Sequence, residues 1–322
     1  MQLVHNISNL PHDALKPSIA AIGFFDGVHL GHQYLIEQVK AEAAAKGLCT
    51  ALVTFPVHPR KVMNAEYKPE LLTSYNEKIE LLEATGIDYC FALDFTSDIS
   101  QLTAYDFMRS ILKERYNIHG LVIGYDHRFG HNRSEGFDDY NRYGKELGID
   151  VIQARACIVN DVTISSSVIR RLLHSGDVTL ATTYLGYEYF LEGTVIDGYK
   201  VGRTIGFPTA NLQPTDSEKL IPSDGVYAVR ATVKDEVYAG MMNIGHRPTI
   251  NNGHNRSLEV HILHFHSDIY DCPIRISFVQ RIRSEMKFNG KDQLIEQLSK
   301  DALTVEKLLL GVLTSFLSKN DK

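Results

Sequence analysis

The sequence has little cysteine, no long apolar run and neither of two common nucleotide-binding motifs. Four cysteines occur in 322 residues, widely spaced and without a CxxC pair, which argues against a disulfide framework or a cysteine metal site. No stretch approaches the roughly 18 apolar residues of a membrane span. The strings GxxxxGK[ST] and GxGxxG are both absent. Their absence excludes a P-loop protein and argues against a dinucleotide-dependent dehydrogenase.

Charge and the first residues exclude further classes. Hydrophobic residues make up 44% and charged residues 22% of the chain, as in an ordinary globular protein. With 33 basic and 39 acidic side chains the net charge is −6, which favours neither nucleic acid nor an anionic membrane as a partner. The segment Met1–Pro17 has no basic stretch followed by an apolar one, so we expect no signal peptide and a cytoplasmic location.

The first half of the chain alternates short apolar segments with amphipathic ones, which predicts a doubly wound α/β domain. The strands are apolar on both faces, as in a covered parallel sheet. Predicted strands cover 19–22, 51–55, 89–93, 121–123 and 151–152, and predicted helices cover 33–46, 76–85, 105–116 and 137–147. A further helix is predicted after Ser165 and ends at Gly176.

Beyond about Tyr184 the pattern changes to alternating strands separated by turn residues, which predicts an antiparallel β-barrel. A C-terminal helix is predicted to pack on it. Predicted strands cover 189–195, 226–233, 237–243, 258–265 and 274–282, and the helix covers 292–313. We therefore expect two domains, 1–184 and 185–322.

One glycine-containing polar turn follows the strand at 19–22. The string Gly23–His32 reads GFFDGVHLGH and leads directly into a predicted helix. Parallel sheets bind ligands at the carboxyl ends of their strands, and a helix N-terminus favours anions. The imidazoles of His29 and His32 can donate hydrogen bonds there. The turn therefore predicts a nucleotide-phosphate site.

This string resembles the HxGH motif of the nucleotidyltransferase superfamily, and FDGVHLGH is similar to its bacterial FAD-synthetase branch. The resemblance implies that His29 and His32 stabilise the ATP phosphates while the α-phosphate is attacked and pyrophosphate leaves. It also implies that neighbouring residues of the turn bind ATP, namely Gly23, Phe25, Asp26 and Gly31.

Two further strings extend the resemblance. ISSSVIR, which ends at Arg170, resembles the family's SSTxIR string, and this implies that Ser165, Ser166 and Arg170 act on the ATP phosphates. Helix capping is the alternative role for these serines. VIGYDHRFG resembles the family's VGxDFxFG, which implies that Asp126 faces the flavin nucleotide or ribose, with a plain loop cap as the alternative.

One segment departs from the family. Where the family usually has TF[D/E]PHP, this chain has TFPVHP, so the acidic residue is replaced by Pro56 and the following proline by Val57. No metal or flavin contact is assigned to the missing carboxylate. His58 does match, and the resemblance places it at the flavin pocket.

The second half carries its own specific string. GRTIGFPTAN, which ends at Asn211, resembles the riboflavin kinase motif, and PSDGVY and MNIGHRPT follow in the family's order. The resemblance implies that Thr209 and Asn211 hold Mg²⁺ with the ATP phosphates, since neutral oxygens suit a hard cation that keeps phosphate ligands. It also implies that Gly202 and Gly206 form an ATP-binding turn. Hairpin turns are the alternative role for these glycines.

A carboxylate on a predicted strand supplies the candidate base. The string LEVH matches the family's strand with its catalytic glutamate, so Glu259 is predicted to accept the proton of the ribityl hydroxyl. Glu259 and His261 share one face of an alternating strand, and a carboxylate facing into a barrel would need a functional explanation. The same alternation places His264 opposite His261 and His266, which argues against a zinc site. Arg283 lies in RSEMKF, which resembles a family segment beside the flavin; a surface salt bridge is its alternative role.

Together the resemblances cover roughly residues 18–310 and imply a bifunctional riboflavin kinase and FAD synthetase. Its substrates would be riboflavin, FMN and ATP, and Mg²⁺ would serve both steps. Two alternatives stay open: a riboflavin kinase with a weakened adenylylating half, and a flavin-nucleotide binding protein without turnover. The sequence leaves the oligomeric state open.

Overall fold

A computed structural model describes residues 1–5, 15–124, 128–131, 134–198, 201–246 and 256–309. By their contacts they form two compact units, one up to Ser166 and one from Ser167 onward. Asp126 and the end of the MNIGHRPT string lie outside the described residues. Across the ranges given, no helix is long and apolar enough to cross a membrane.

The first unit is built on a six-stranded parallel sheet, which confirms the predicted α/β class. Every predicted strand is present, and one edge strand, β1, was not predicted. The strands are β1 Gln2–Val4, β2 Ser18–Ile22, β3 Cys49–Thr54, β4 Tyr89–Ala92, β5 Ile118–Ile123 and β6 Asp150–Gln153. Their order in the sheet is β1-β4-β3-β2-β5-β6.

Helices cover both faces of this sheet. Successive residues of β2 enter different apolar cores: Ala20 and Ile22 belong to one, and Ile19 and Ala21 to the other. This explains why the strands are apolar throughout. The helices are α1 Leu30–Lys46, α2 Pro59–Met63, α3 Tyr75–Glu83, α4 Ser97–Gln101, α5 Ala104–Asp106 (continuing as a π-helix over Phe107–Arg115) and α6 Phe137–Leu147.

The strand order places the turn after β2 at a special point of the sheet. From β2 the chain proceeds through β3 and β4 to one side, whereas β5 and β6 lie on the other side. Such a reversal of strand order opens a crevice at the carboxyl ends of the central strands, where α/β proteins bind ligands. The predicted phosphate turn, Gly23–His32, begins directly after β2.

The second unit contains a closed six-stranded antiparallel barrel, which confirms the predicted barrel class. The strand order around the barrel is β10-β13-β12-β11-β14-β9. The strands are β9 Phe190–Ile196, β10 Ala210–Pro214, β11 Gly225–Val233, β12 Glu236–His246, β13 Arg256–Ile262 and β14 Pro273–Arg283. A 3₁₀ helix, Val201–Ile205, precedes β10, and the predicted C-terminal helix is α9, Lys291–Leu309.

Two helices follow the sheet and precede the barrel in the sequence, and their contacts assign them to the barrel unit. They are α7 Ser166–Ser175 and α8 Val178–Leu185, and a short hairpin, β7 Ile158–Val159 with β8 Val162–Thr163, precedes them. The amide of Ser223 donates to the carbonyl of Leu173 at 3.0 Å, and the Thr179 hydroxyl donates to the carbonyl of Val279 at 3.3 Å. These contacts divide the chain after Ser166, whereas the change of sequence pattern lies near residue 184.

One local expectation differs from the structure. Strand β13 ends at Ile262, and His264 lies in a turn with φ of 57°, so alternation cannot be extended to it. On α3 the buried side chains are Glu77, Lys78 and Leu82, so the buried face of this helix is partly charged. All four cysteines are free, and among them Cys90 is buried.

Candidate functional sites

The phosphate turn has an unusual backbone. Phe25, Gly27 and Val28 all have positive φ, at 55°, 82° and 36°. Positive φ is strained for residues with a Cβ and persists only where the surroundings enforce it. Phe25 and Val28 are each 1% exposed and belong to the apolar core of the unit. Burial of these two side chains therefore holds the turn in shape.

His29 directly precedes α1 and is only 4% exposed. Its Nδ1 accepts a hydrogen bond from the backbone amide of His32 at 3.3 Å, so the side chain is the N-cap of the helix. Because Nδ1 is the acceptor, the neutral ring carries its hydrogen on Nε2. The His29 and His32 rings stack with 3.7 Å between centroids. The two predicted phosphate ligands thus lie together at a helix N-terminus, which favours an anion.

Other predicted residues of the turn have contacts inside the protein. The Asp26 carboxylate accepts from the amides of Leu72 and Thr73 at 2.8 and 3.1 Å and is 3% exposed. The Gly23 amide donates to the carbonyl of Val53 at 3.0 Å. These hydrogen bonds anchor the turn to the segment before α3. The ATP-binding role predicted for Asp26 stays a prediction.

Gly31 is required by close packing. A Cβ at this position would lie 3.0 Å from the His29 ring and 3.0 Å from the carbonyl oxygen of Ile164. The glycine therefore lets α1 start close to the segment that carries the serines. The Ser166 hydroxyl donates to the carbonyl of Asp26 at 3.0 Å, which joins the start of α7 to the turn. Ser165 is half-buried beside it.

Arg170 and His58 are found on separate helices. Arg170 lies on α7, one turn after Ser166, and is half-buried. His58 caps α2, because its Nδ1 accepts from the amide of Arg60 at 3.1 Å. The His58 ring lies 4.7 Å from that of Phe24, measured between centroids. His58 is therefore next to the phosphate turn, and its predicted place at the flavin pocket stays a prediction.

A buried cation beneath the turn was missed by sequence reasoning. Lys78 is 2% exposed, and its Nζ donates to the carbonyls of Phe24 at 3.1 Å and Phe55 at 2.8 Å. Burial lowers the pKa of this lysine to about 8, and the nearby Asp26 carboxylate opposes that shift. A signal was present, since Lys78 shares one face of α3 with the core residue Leu82.

In the barrel, the predicted oxygen ligands and base are neighbours. The Thr209 hydroxyl donates to Glu259 Oε2 at 3.4 Å. Asn211 on β10 and Asn243 on β12 both pair with Glu259 on β13 in the sheet register, one on each side. Paired residues of antiparallel strands project to the same face. Glu259 is thus flanked by two amides and a hydroxyl.

Glu259 faces the outside of the barrel, which differs from the expected inward orientation. On β13 the buried residues are Leu258, Val260 and Ile262, and Glu259 and His261 alternate with them. His261 pairs with Met241, which packs in the apolar cluster formed with α9. The carboxylate therefore lies on the sheet face that α9 covers.

Two cavities meet at Thr209. One of about 320 Å³ is lined by Thr209, Glu259 and mostly apolar side chains, including Met241 and Leu298. The other, of about 480 Å³, has more polar walls. Those polar walls come from Thr209, Arg203, His266, Ser267, Asp268 and Tyr270. The first cavity suits a largely apolar group and the second a more polar one, and Glu259 lines the first.

His261 stays uncharged beside Glu259. Its Nδ1 lies 2.7 Å from the carbonyl oxygen of Pro208, so Nδ1 is the donor and carries the hydrogen. Burial lowers the pKa of His261 below its ordinary value, although this hydrogen bond opposes the shift. The residue therefore fixes the turn before Thr209.

None of the described His, Cys, Asp and Glu residues form a group of three that could hold a metal ion.

Arg283 is held by a buried acid. Its guanidinium forms a two-pronged ion pair with Asp301 of α9, at 2.9 and 2.8 Å to Oδ2, and Asp301 is 2% exposed. Arg283 also lines the apolar cavity, together with Leu294 and Leu298 of α9. The ion pair is buried rather than on the surface, and it fastens α9 to the cavity wall.

Gly202 and Gly206 shape the turn before Thr209 in different ways. A Cβ on Gly202 would lie 2.1 Å from the carbonyl oxygen of Phe207, whose amide donates back to Gly202 at 2.9 Å. Gly206 has φ of 83° in open space. Both glycines are therefore explained by the turn itself.

The first unit is a nucleotide-binding α/β domain with histidines at a helix N-terminus, and the second is a barrel with a carboxylate that lines an apolar cavity. The family model described as FAD synthetase matches residues 12–168, and the one described as riboflavin kinase matches 185–309. The chain belongs to the family of bifunctional riboflavin kinase/FMN adenylyltransferases.

Relatives with that name match almost the whole chain. The protein from Bacillus subtilis is 38% identical, and the match covers 90% of this chain and 93% of the relative. For Listeria monocytogenes the identity is 40%, with 88% and 90% covered. For Escherichia coli it is 33%, with 94% and 96% covered.

A crystal structure from Streptococcus pneumoniae has the same fold over nearly the whole length. Its TM-score is 0.86 at 30% identity, covering 95% of this chain and 99% of that chain. That protein is described as a macrolide-efflux protein. The family models and the sequence relatives agree with one another and differ from that description.

Proposed function

We propose that this chain makes FMN and FAD: the barrel unit phosphorylates riboflavin, and the α/β unit adenylylates the FMN formed. The observation that carries the proposal is the position of Glu259. Its carboxylate lies in an apolar cavity and accepts from Thr209, where a second, polar cavity begins. An acceptor hydroxyl and a phosphate donor would meet at that point. A protein that only bound flavin would have no need for a base there.

The kinase step follows from this geometry. Riboflavin lies in the apolar cavity with its terminal ribityl hydroxyl at Glu259, and ATP approaches Thr209 from the polar cavity. The hydroxyl oxygen bonds to the γ-phosphorus, the bond to the β,γ-bridging oxygen breaks, and ADP leaves. Glu259 takes the hydroxyl proton. His261 is neutral, so it adds no positive charge that would lower the proton affinity of the Glu259 carboxylate.

ATP-dependent enzymes of this family imply a divalent metal ion, and we assign Mg²⁺. The residues fit it: Thr209 and Asn211 offer neutral oxygens beside the Glu259 carboxylate, and Asn211 is only 8% exposed. Such a set suits a hard cation that takes its remaining ligands from phosphate and water. Bound there, Mg²⁺ would neutralise charge on the transferring phosphate.

The adenylylation step uses the phosphate turn. The FMN phosphate oxygen attacks the α-phosphorus of ATP and pyrophosphate leaves. His29, with its hydrogen on Nε2, donates to the phosphates, while the backbone at the start of α1 attracts the same charge. We assign Arg170 to the same phosphates. We assign Ser165 and Ser166 to holding in place the backbone segment that leads to Arg170. His58 remains assigned to the flavin side, as does Asp126.

We place the functional domains at 1–184 and 185–322. The family models support this division, since the second begins at residue 185. The helices α7 and α8 then belong to the adenylylating domain by sequence, although their contacts group them with the barrel unit. The cytoplasmic location expected from the sequence stays a prediction.

The test is to incubate the purified protein with riboflavin, ATP and Mg²⁺ and to separate the flavins by chromatography. We expect FMN and then FAD. The variant Glu259→Gln should lower FMN formation by about 10²–10⁴-fold, the usual contribution of a general base. It should leave FAD formation from added FMN unchanged. Absence of both products from the wild-type protein would contradict the proposal.

A narrower function remains to be tested by the same experiment. The missing acidic residue at Pro56 bears only on the adenylylating half, so FMN that accumulates without FAD would indicate a riboflavin kinase alone. The intact His29–His32 pair and the anchored turn favour both activities.

A further inference from the structure

Lys78 takes no part in the mechanism above, and the role proposed for it here rests on the proposed adenylylation of FMN. Two chain segments meet above this side chain. One is the phosphate turn, which leaves β2 at Gly23, and the other leaves β3 at Phe55 and leads to His58. A lysine ammonium has three N–H donors, and here one donates to Phe24 and another to Phe55.

We propose that Lys78 is a positioning residue for adenylyl transfer, whose buried ammonium joins the phosphate turn to the segment that carries His58. The two carbonyls belong to the segments on which the predicted phosphate ligands and the predicted flavin-side histidine lie. The Lys78 side chain therefore helps to set the spacing of the two segments. The Phe24 carbonyl also accepts from the Thr54 hydroxyl at 3.2 Å, so this junction is bonded from two sides.

The charge of Lys78 is stabilised from several elements. Its Nζ lies 4.1 Å from the centroid of the Phe24 ring and 5.6 Å from that of Tyr75, where ring faces attract a cation. The Asp26 carboxylate favours the charged form from the turn itself. The same carboxylate anchors the turn to Leu72 and Thr73 just before α3. One acid and one base thus connect the turn to α3.

Titration of this lysine is separable from that of its neighbours. The groups that face it are Asp26 from the turn, Cys90 from β4 and Tyr75 from its own helix. Burial raises the pKa of both Cys90 and Tyr75 to about 12, so both stay neutral where Lys78 loses its proton, near pH 8. The neighbouring Glu77 carboxylate accepts from the amide of Ser74 at 2.7 Å.

Loss of this proton should weaken positioning without unfolding the unit. A neutral amine makes hydrogen bonds without charge assistance, which are roughly half as strong. The pKa of Lys78 is lower in the folded chain, about 8, than its ordinary value of 10.5. Between these pH values the unfolded chain binds more protons, so the contribution of this group to folding stability rises with pH. A loss of activity between these two pH values would therefore not result from unfolding caused by deprotonation of Lys78.

The experiment compares FAD formation from FMN and ATP with FMN formation from riboflavin in the same chain, from pH 7 to 9.5. We expect wild-type adenylylation to fall with a midpoint near pH 8 while riboflavin phosphorylation does not follow it. Lys78→Met keeps the apolar stem and removes the ammonium. We expect it to lower kcat for FAD formation at pH 7.5 by about tenfold or more, because small misplacements of positioned groups cost that much. Its remaining activity should show no midpoint near pH 8.

Two controls keep the outcomes separate. Lys46→Met removes a lysine of the same unit that lies on the surface and pairs with Asp150, and it should match the wild type. Lys78→Gln restores N–H donors without charge and should be intermediate in rate, with a flat profile. Equal pH profiles in the wild type and Lys78→Met, or a Met variant within twofold of wild-type kcat, would overturn the proposal.

If Lys78→Met does not fold, the wild-type profile decides, with the kinase activity of the same chain as its reference. A wild-type adenylylation rate that stays level through pH 8 would then contradict the inference. If the wild-type protein forms no FAD at pH 7.5, the proposed function itself fails, and that result is distinct from a profile that is merely flat.

Discussion

His29 combines two roles on one ring. Its Nδ1 caps α1 by accepting from the amide of His32, which places the hydrogen of the neutral ring on Nε2. We propose that this N–H group donates to an ATP phosphate. The sequence showed that a histidine precedes a helix, but not which nitrogen faces the helix. That detail depends on the backbone of the turn, which the buried side chains of Phe25 and Val28 impose.

Two substitutions separate the roles of His29. His29→Ala removes the cap and should lower the free energy of unfolding by about 1 kcal/mol, whereas His29→Asn should keep most of it because asparagine is a good N-cap. Both lack the imidazole donor, so both should lower kcat for FAD formation by about 10²-fold or more. Thermal unfolding and flavin chromatography measure these effects. An Asn variant with wild-type FAD formation would show that the imidazole acts only as a cap.

At the scale of elements, most strands and the long helices were predicted from apolar patterns. The elements that were not predicted are short or polar. Helix α2 spans only Pro59–Met63 and has no buried residue, so no apolar periodicity identifies it. The edge strand β1 has only Val4 buried. Alternation showed that Glu259 and His261 share one face of β13, but not whether that face points into or out of the barrel. Both faces of the barrel wall are covered where α9 packs, so neither face is clearly polar.

The contact between α9 and the barrel depends on one buried ion pair. Asp301 is 2% exposed, and its loss leaves the Arg283 guanidinium without its counter-charge. Asp301→Ala should therefore lower the free energy of unfolding by about 3 kcal/mol, the lower end for breaking a buried pair. It should also raise the KM for riboflavin, since Leu294 and Leu298 of the same helix line the apolar cavity.

The matched control is the exposed pair of Glu296 and Lys300 on the same helix. Glu296→Gln should change the free energy of unfolding by less than about 1 kcal/mol, because solvent screens such pairs. FAD formation from added FMN should be unchanged in both variants. If Asp301→Ala and Glu296→Gln have equal effects on unfolding and on the KM for riboflavin, the ion pair does not hold α9 against the cavity.

At the scale of the whole molecule, the sequence predicted two units and the class of each. It did so because the change from strand-helix alternation to strand-strand alternation is sharp. It did not predict where contacts divide the chain, since α7 and α8 are amphipathic helices that can cover either a sheet or a barrel. Lys78 and Asp301 were missed for a related reason: a charged residue on a buried face acquires its partner only through tertiary packing.

The two sites share no residue among those assigned here, so each half should work when the other is disabled. A mixture of Glu259→Gln protein, which makes FMN slowly, with His29→Asn protein, which adenylylates it slowly, should convert riboflavin to FAD faster than either variant alone. FMN released by one chain would be adenylylated by the other. Chromatography of the mixture and of each variant alone measures this, with the highest rate of FAD formation expected in the mixture. If the mixture accumulates FMN without FAD while Glu259→Gln protein still adenylylates added FMN, the FMN formed is not released to other chains. The two steps would then be coupled within one molecule.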